Sequence, residues 1–122
     1  MQKKIFLDEL IFIATTHSKQ DDSLVKYLSG KNINIFRGSE LDVFSRFEQI
    51  AKNFNQDDII VRFTADNPIK YNSIIQKMKS KILTDNIDYC CLKNLSKLSV
   101  EFIRIKLINQ IKSMEYFDKY DK

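Results

Sequence analysis

Residues 57–69 read DDIIVRFTADNPI, and this stretch limits the fold of the whole chain more than any other. Two acids open it, and Ile59, Ile60, Val61, Phe63 and Thr64 then give near-continuous apolar, β-branched character. A run of that kind predicts a strand buried on both faces, as in a parallel sheet. Pro68 lacks an N–H and restricts Asn67, so strand pairing is expected to stop there. Asp66 is thereby placed at the carboxyl end of an interior strand, where ligands of open α/β sheets bind. Two readings of Asp66 follow. It caps the turn before Pro68, or it holds Mg²⁺, a hard cation commonly bound by one or two carboxylates plus substrate phosphates.

The rest of the chain alternates strand and helix patterns around this run. Residues 10–16 form a second apolar strand, ended by His17-Ser18, and Ser18 with Asp21 marks a helix start. Leu24, Val25 and Leu28 follow at helical spacing, and Gly30 suits the C-terminal cap. Residues 33–36 are a short strand, and Arg37-Gly38-Ser39 is expected to turn the chain. Ser39 and Asp42 form the next N-cap pair, before an apolar stripe of Leu41, Phe44, Phe47, Ile50, Ala51 and Phe54. After the central strand, Asn72 caps a helix whose Ile74, Ile75, Met78 and Ile82 face inward. Residues 87–92 and 100–103 are further strands, 94–99 a polar connector, and Leu107, Ile108, Ile111 and Met114 a last helix. Residues 115–122 are expected to fray. The order β-α-β-α-β-α-β-β-α implies a mostly parallel sheet with helices on its faces.

Composition narrows the function classes. With 122 residues, 43% of them hydrophobic and 30% charged, the chain fits one small domain with a real core. No apolar run approaches the roughly 18 residues of a membrane span, and the start at Met1 lacks the apolar core of a signal peptide; a cytoplasmic protein is expected. Cys90 and Cys91 are adjacent, so they point to opposite sides of a strand and do not close an ordinary disulfide; both read as small buried hydrophobes. His17 is the single histidine, which argues against zinc. Residues 1–69 carry 9 Lys/Arg against 10 Asp/Glu, and residues 70–122 carry 11 against 6. The lysines of the basic half are scattered, without arginine clusters or interleaved aromatics, so they read as a solvated face rather than a nucleic-acid interface.

Three stretches fall at carboxyl ends of expected strands: 14–18, 37–40 and 64–68. Arg37 and Ser39 could meet a phosphate, helped by a helix N-terminus; alternatively Ser39 is only a cap and Arg37 is solvated or paired with Glu40. Arg46, one turn into that helix, reaches the same edge or lies on the surface. Thr15, Thr16 and His17 line the same end, with His17 reading more readily as a turn residue than a catalyst. Nothing makes a Ser/His/Asp or Cys/His set, so no catalytic residue is assigned. Neither GxxxxGK[ST] nor GxGxxG occurs.

IFIATT at 11–16, FRGSELDVFSRF at 36–47 and IVRFTADNPI at 60–69 together resemble the cytidylyltransferases of the spore coat polysaccharide biosynthesis protein F group, relatives of the CMP-KDO and acylneuraminate cytidylyltransferases. The resemblance covers roughly residues 3–112 and is strongest over 11–69. It implies a Rossmann-like three-layer α/β sandwich of the glycosyltransferase-A, or nucleotide-diphospho-sugar transferase, type. It also implies an activity: joining CTP to a sugar or sugar acid with Mg²⁺ and release of pyrophosphate, by positioning and electrostatics. By resemblance Asp66 is the metal-binding aspartate, and Arg37, Ser39 and Arg46 lie near the nucleotide. The departures are equally specific. The family's first strand and its phosphate-cradling loop precede the point where this chain starts. That strand would lie mid-sheet, between residues 10–16 and 59–64. Ser99 stands where a second metal aspartate is expected, and Glu101 should point the other way.

Two functions are consistent with these observations. One is a partial sugar cytidylyltransferase domain over residues 1–122, inactive or weak by itself. The other is a non-catalytic α/β partner-binding module or degenerate pseudoenzyme. The first expects a complementing chain to supply the missing piece; the second predicts an exposed edge where the first strand is expected, open to self-association.

Overall fold

A computed structural model of the chain describes residues 10–65, 72–92 and 100–118, with side chains through Ile111. The described residues belong to two compact units, Lys3–Asn53 and Phe54–Lys122.

In the first unit, β1 (Phe12–Thr16) is followed by a 3₁₀ turn and α1 (Asp22–Leu28), then β2 (Asn34–Gly38) and α2 (Val43–Ala51). β1 and β2 pair in parallel, with Phe12 opposite Asn34 and Thr16 opposite Gly38. The β-branched and aromatic residues at 10–16 and 33–36 explain both strands. The turn into α1 begins at Ser18, whose Oγ accepts from Gln20 N at 3.3 Å. Past the helix, Gly30 adopts φ +82°, a left-handed conformation that a side chain would strain. Two expectations need correction here. Arg37 and Gly38 lie inside β2 rather than in a turn, because the ladder continues to the Thr16–Gly38 pair. α2 is capped by Asp42, whose carboxylate accepts from Ser45 N at 3.0 Å, so Leu41 precedes the helix and is 96% exposed. Ile50 and Ala51 are the buried part of the expected stripe.

The second unit contains β3 (Ile59–Phe63), α3 (Asn72–Thr84), β4 (Tyr89–Cys91), β5 (Val100–Arg104) and α4 (Ile105–Asp118). Its strand order is β3-β5-β4, and both pairings are antiparallel. β3 and β4 therefore run the same way, as the β-α-β reading requires, with β5 reversed between them. β3 is half-buried along its length rather than sealed on both faces. The core gathers Ile75, Met78 and Ile82 of α3, Val100 and Phe102 of β5, and Ile105 and Ile108 of α4. Cys90 pairs with Phe102 and is half-buried, whereas Cys91 pairs with Glu101 and is exposed. The expectation that both thiols are buried holds for neither in full, because successive residues of the strand face opposite ways. α4 continues to Asp118, beyond the expected start of fraying at 115.

Arg104 ends β5 and is 93% buried by its 7% exposure. Its Nη1 donates to Asp57 O at 2.9 Å, and its Nη2 to Ile82 O and Ile87 O at 3.3 Å each. Its Nε lies 3.4 Å from Asp88 Oδ1, an oxygen that Lys106 Nζ approaches to 3.1 Å. The guanidinium fork thus ties the approach to β3, the end of α3 and the entry to β4.

Candidate functional site

The parallel register of β1 and β2 brings Thr15–Ser18 and Arg37–Glu40 to one end of the first unit. Odd-numbered residues of β1 exchange backbone hydrogen bonds with β2, as at Asn34 N to Ile11 O (3.1 Å) and His17 N to Gly38 O (3.3 Å). Even-numbered residues therefore turn their N–H and C=O toward the other margin of β1. Side chains occupy that margin. Asp21 Oδ2 accepts from Thr16 N at 3.0 Å, from Thr15 Oγ1 at 2.7 Å and from Thr16 Oγ1 at 2.5 Å. Hydrogen bonds from Thr16 first, then from Thr15, lower the Asp21 carboxyl from 3.8 to about 2, with a smaller contribution from the charge of Arg37.

Arg37 projects from β2 across this end. Its Nε donates to Thr16 O at 2.6 Å, and its Nη2 donates to Ser18 O at 2.9 Å and to Asp22 Oδ1 at 2.8 Å. Its ion-pair partner is thus Asp22, not the Glu40 that the sequence also offered. Ser39 is exposed, and its Oγ accepts from Asp42 N at 3.0 Å, three residues ahead of the true N-cap. Arg46 reaches back from α2 so that Nη1 donates to Ala14 O at 2.9 Å, while its Nε is buried without a hydrogen-bond partner. Arg37, Ser39 and Arg46 are accordingly brought to one end of one unit. His17 is exposed and joins through its backbone alone.

In the second unit, β3 leads toward Asp66, which lies outside the described residues, as does Ser99. Thr64, two residues before Asp66, has a buried Oγ1 with no hydrogen-bond partner. Glu101 is engaged within the sheet: Arg62 Nη1 donates to its Oε2 at 2.6 Å, and Tyr89 Oη donates to its Oε1 at 2.7 Å. Burial opposes ionisation of Glu101, but these two hydrogen bonds and the Arg62 charge together lower its carboxyl. Among the described residues, no group of three His, Cys, Asp or Glu side chains is placed to hold a metal ion. No helix among them is long and apolar enough to cross a membrane.

Sequence reading missed three contributors. Asp21 read only as part of a helix start and Asp22 was not singled out, yet one fixes the end of β1 and the other holds Arg37. Gly38 read as a turn residue; its β-strand position and close approach to Arg46 depend on tertiary packing that no local pattern encodes.

The sequence profile of a family described as Cytidylyltransferase matches residues 2–116. The chain is 40% identical over 95 residues to an uncharacterized protein of Methanocaldococcus jannaschii, MJ1063, covering 78% of this chain and 38% of that protein. It is 30% identical over 87 residues to the spore coat polysaccharide biosynthesis protein SpsF of Bacillus subtilis, covering 71% of this chain and 35% of that protein. Among solved structures, a cytidylyltransferase from Leptospira borgpetersenii superposes with a TM-score of 0.70 at 27% identity, covering 84% of this chain and 45% of that one. The expected Rossmann-like nucleotidyltransferase fold is borne out by that likeness. The chain spans less than half the length of each of these relatives.

Proposed function

We propose, from the premise that this chain belongs to the cytidylyltransferase family, that it carries part of a site for CTP, with a sugar or sugar acid as acceptor and pyrophosphate as leaving group. The observation that carries the proposal is the convergence of Arg37, Ser39 and Arg46 at the carboxyl ends of a parallel strand pair, where α/β folds bind phosphates. The buried, unpaired Nε of Arg46 supports it, since a buried donor without an acceptor is costly and an anionic oxygen would satisfy it. The unpaired Thr64 hydroxyl supports a ligand near the end of β3 in the same way. Mg²⁺ is proposed at Asp66, with phosphate oxygens as the remaining ligands; when bound it would neutralise charge on the α-phosphate. Surface polysaccharide biosynthesis is the setting suggested by the SpsF relative, and the cytoplasm is the compartment we assign.

Isothermal titration of Mg-CTP into the purified chain tests this. Binding by the wild type that is lost in Asp66→Ala is the expected result. Absence of binding by the wild type, or unchanged binding in the variant, removes the site.

A second reading is favoured by one observation. Arg37 already donates to two backbone carbonyls and one carboxylate within the chain. An arginine so committed is what a non-catalytic module that kept the fold would retain for structure. Self-association, or pairing with a complementing chain, belongs to this reading, and a wild type that forms dimers without binding Mg-CTP supports it.

A further inference from the structure

Gly38 is buried at the end of β2, and its backbone does not require glycine: of the two glycines in the chain only Gly30 has a positive φ. What requires glycine is the space beside it. A Cβ at position 38 would lie 2.7 Å from Cγ and 3.6 Å from Cδ of Arg46, and 2.9 Å from Cε1 of Phe36. The approaches to Arg46 Cγ and Phe36 Cε1 are both far inside van der Waals contact, the first the tighter. The stem of Arg46 passes over Gly38 on its way from α2 to β1, where Nη1 meets Ala14 O at 2.9 Å. One side chain thus links α2 with the outer margin of β1, and it does so through the room left by an absent methyl group.

We infer that Gly38 is a positioning residue: its missing side chain is the slot that seats Arg46 on β1, and a phosphate bound by Arg46 is bound through that slot. The binding half of this inference rests on the nucleotide reading above; the seating half does not. The slot explains a Gly-x₇-Arg spacing without appeal to backbone flexibility. Alanine at position 38 cannot share the space with the Arg46 stem, so Arg46 must leave Ala14 O, and with it the place where its guanidinium is held.

A double-mutant cycle tests the inference, read in thermal stability and in Mg-CTP titration. Gly38→Ala and Arg46→Ala are each expected to lower Tm. Combining them is expected to cost clearly less than the sum of the two single losses, because the tighter clash is gone with the stem and only the 2.9 Å approach of Phe36 Cε1 remains. Arg46→Lys keeps Cγ and Cδ and should give no relief, and Phe36→Leu, which removes Cε1, should give less relief than Arg46→Ala. In binding, Gly38→Ala and Arg46→Ala are each expected to weaken Mg-CTP by about tenfold or more, the scale of one charge-assisted hydrogen bond, and the pair no further. If Gly38→Ala does not fold, rescue of folding by Arg46→Ala supports the slot, and failure of that rescue while Arg46→Ala folds alone overturns it. Additive losses in Tm overturn the seating. A folded Gly38→Ala with unchanged CTP affinity overturns the positioning role. A wild type that binds no Mg-CTP refutes the nucleotide reading and the positioning role that rests on it, while the stability cycle still decides the seating.

Discussion

At the scale of single residues, two charged side chains carry structure that a linear reading does not reveal. Asp21 takes three hydrogen bonds on one oxygen, and its carboxyl is held at about 2. A carboxyl lowered in the folded state stabilises that state fully above its ordinary value near 3.8, and the contribution fades as pH falls toward 2. Asp21→Asn should therefore lower Tm at neutral pH, and the gap from wild type should narrow between about pH 4 and pH 2 in a series of melts. Arg104 is the counterpart in the second unit. Replacing it with Met removes the charge but strands three backbone carbonyls and Asp88, so chemical denaturation should report a loss of about 3 kcal/mol. Neither role was legible from sequence. Asp21 stands among ordinary helix-start signals, and Arg104 follows an apolar strand where a charge reads as the strand's end. Their partners are up to 47 residues away in the chain.

At the scale of elements, the 2.0 and 3.6 periodicities located nearly every strand and helix, because burial of one face dictates both. Ile75, Met78 and Ile82 face the core as their spacing requires. What periodicity does not encode is pairing. β5 reads as one more short strand, and only contacts between distant residues reverse it between β3 and β4. Boundaries failed where capping chemistry was ambiguous: Ser39 and Asp42 both suit an N-cap, and the carboxylate takes the position. Asp42→Ala is expected to cost about 1 kcal/mol by equilibrium unfolding, and Ser39→Ala markedly less. Just past the C-terminal end of α1, Gly30→Ala should cost about 1 kcal/mol. The space around Gly30 is open, so the cost there is conformational alone.

At the scale of the whole molecule, the described residues form two compact units, each with its own sheet. Compact units of this kind open cooperatively and separately. Amide hydrogen exchange should then sort β1, β2, α1 and α2 from β3, β5, α3 and α4, with Asp21→Asn weakening protection in the first set and Arg104→Met in the second. Family membership was legible from three motifs in order, since IFIATT, FRGSELDVFSRF with its RGSE and Arg46, and IVRFTADNPI with its T-x-D-x-P survive as strings. Their geometry was legible only in part: the strand ends could be placed, but not the acceptors that Arg37 and Arg46 have found.

Those acceptors have an implication for assembly. The oxygens of Ala14 and Thr16 lie on the margin of β1 that faces away from β2, and each is already taken by a guanidinium group. A newcomer strand laid along that border would compete for the same two oxygens, evicting both cations and leaving them in want of a counterion. Docking of a strand and capture of an anion would then favour one another, each lowering the cost of the other.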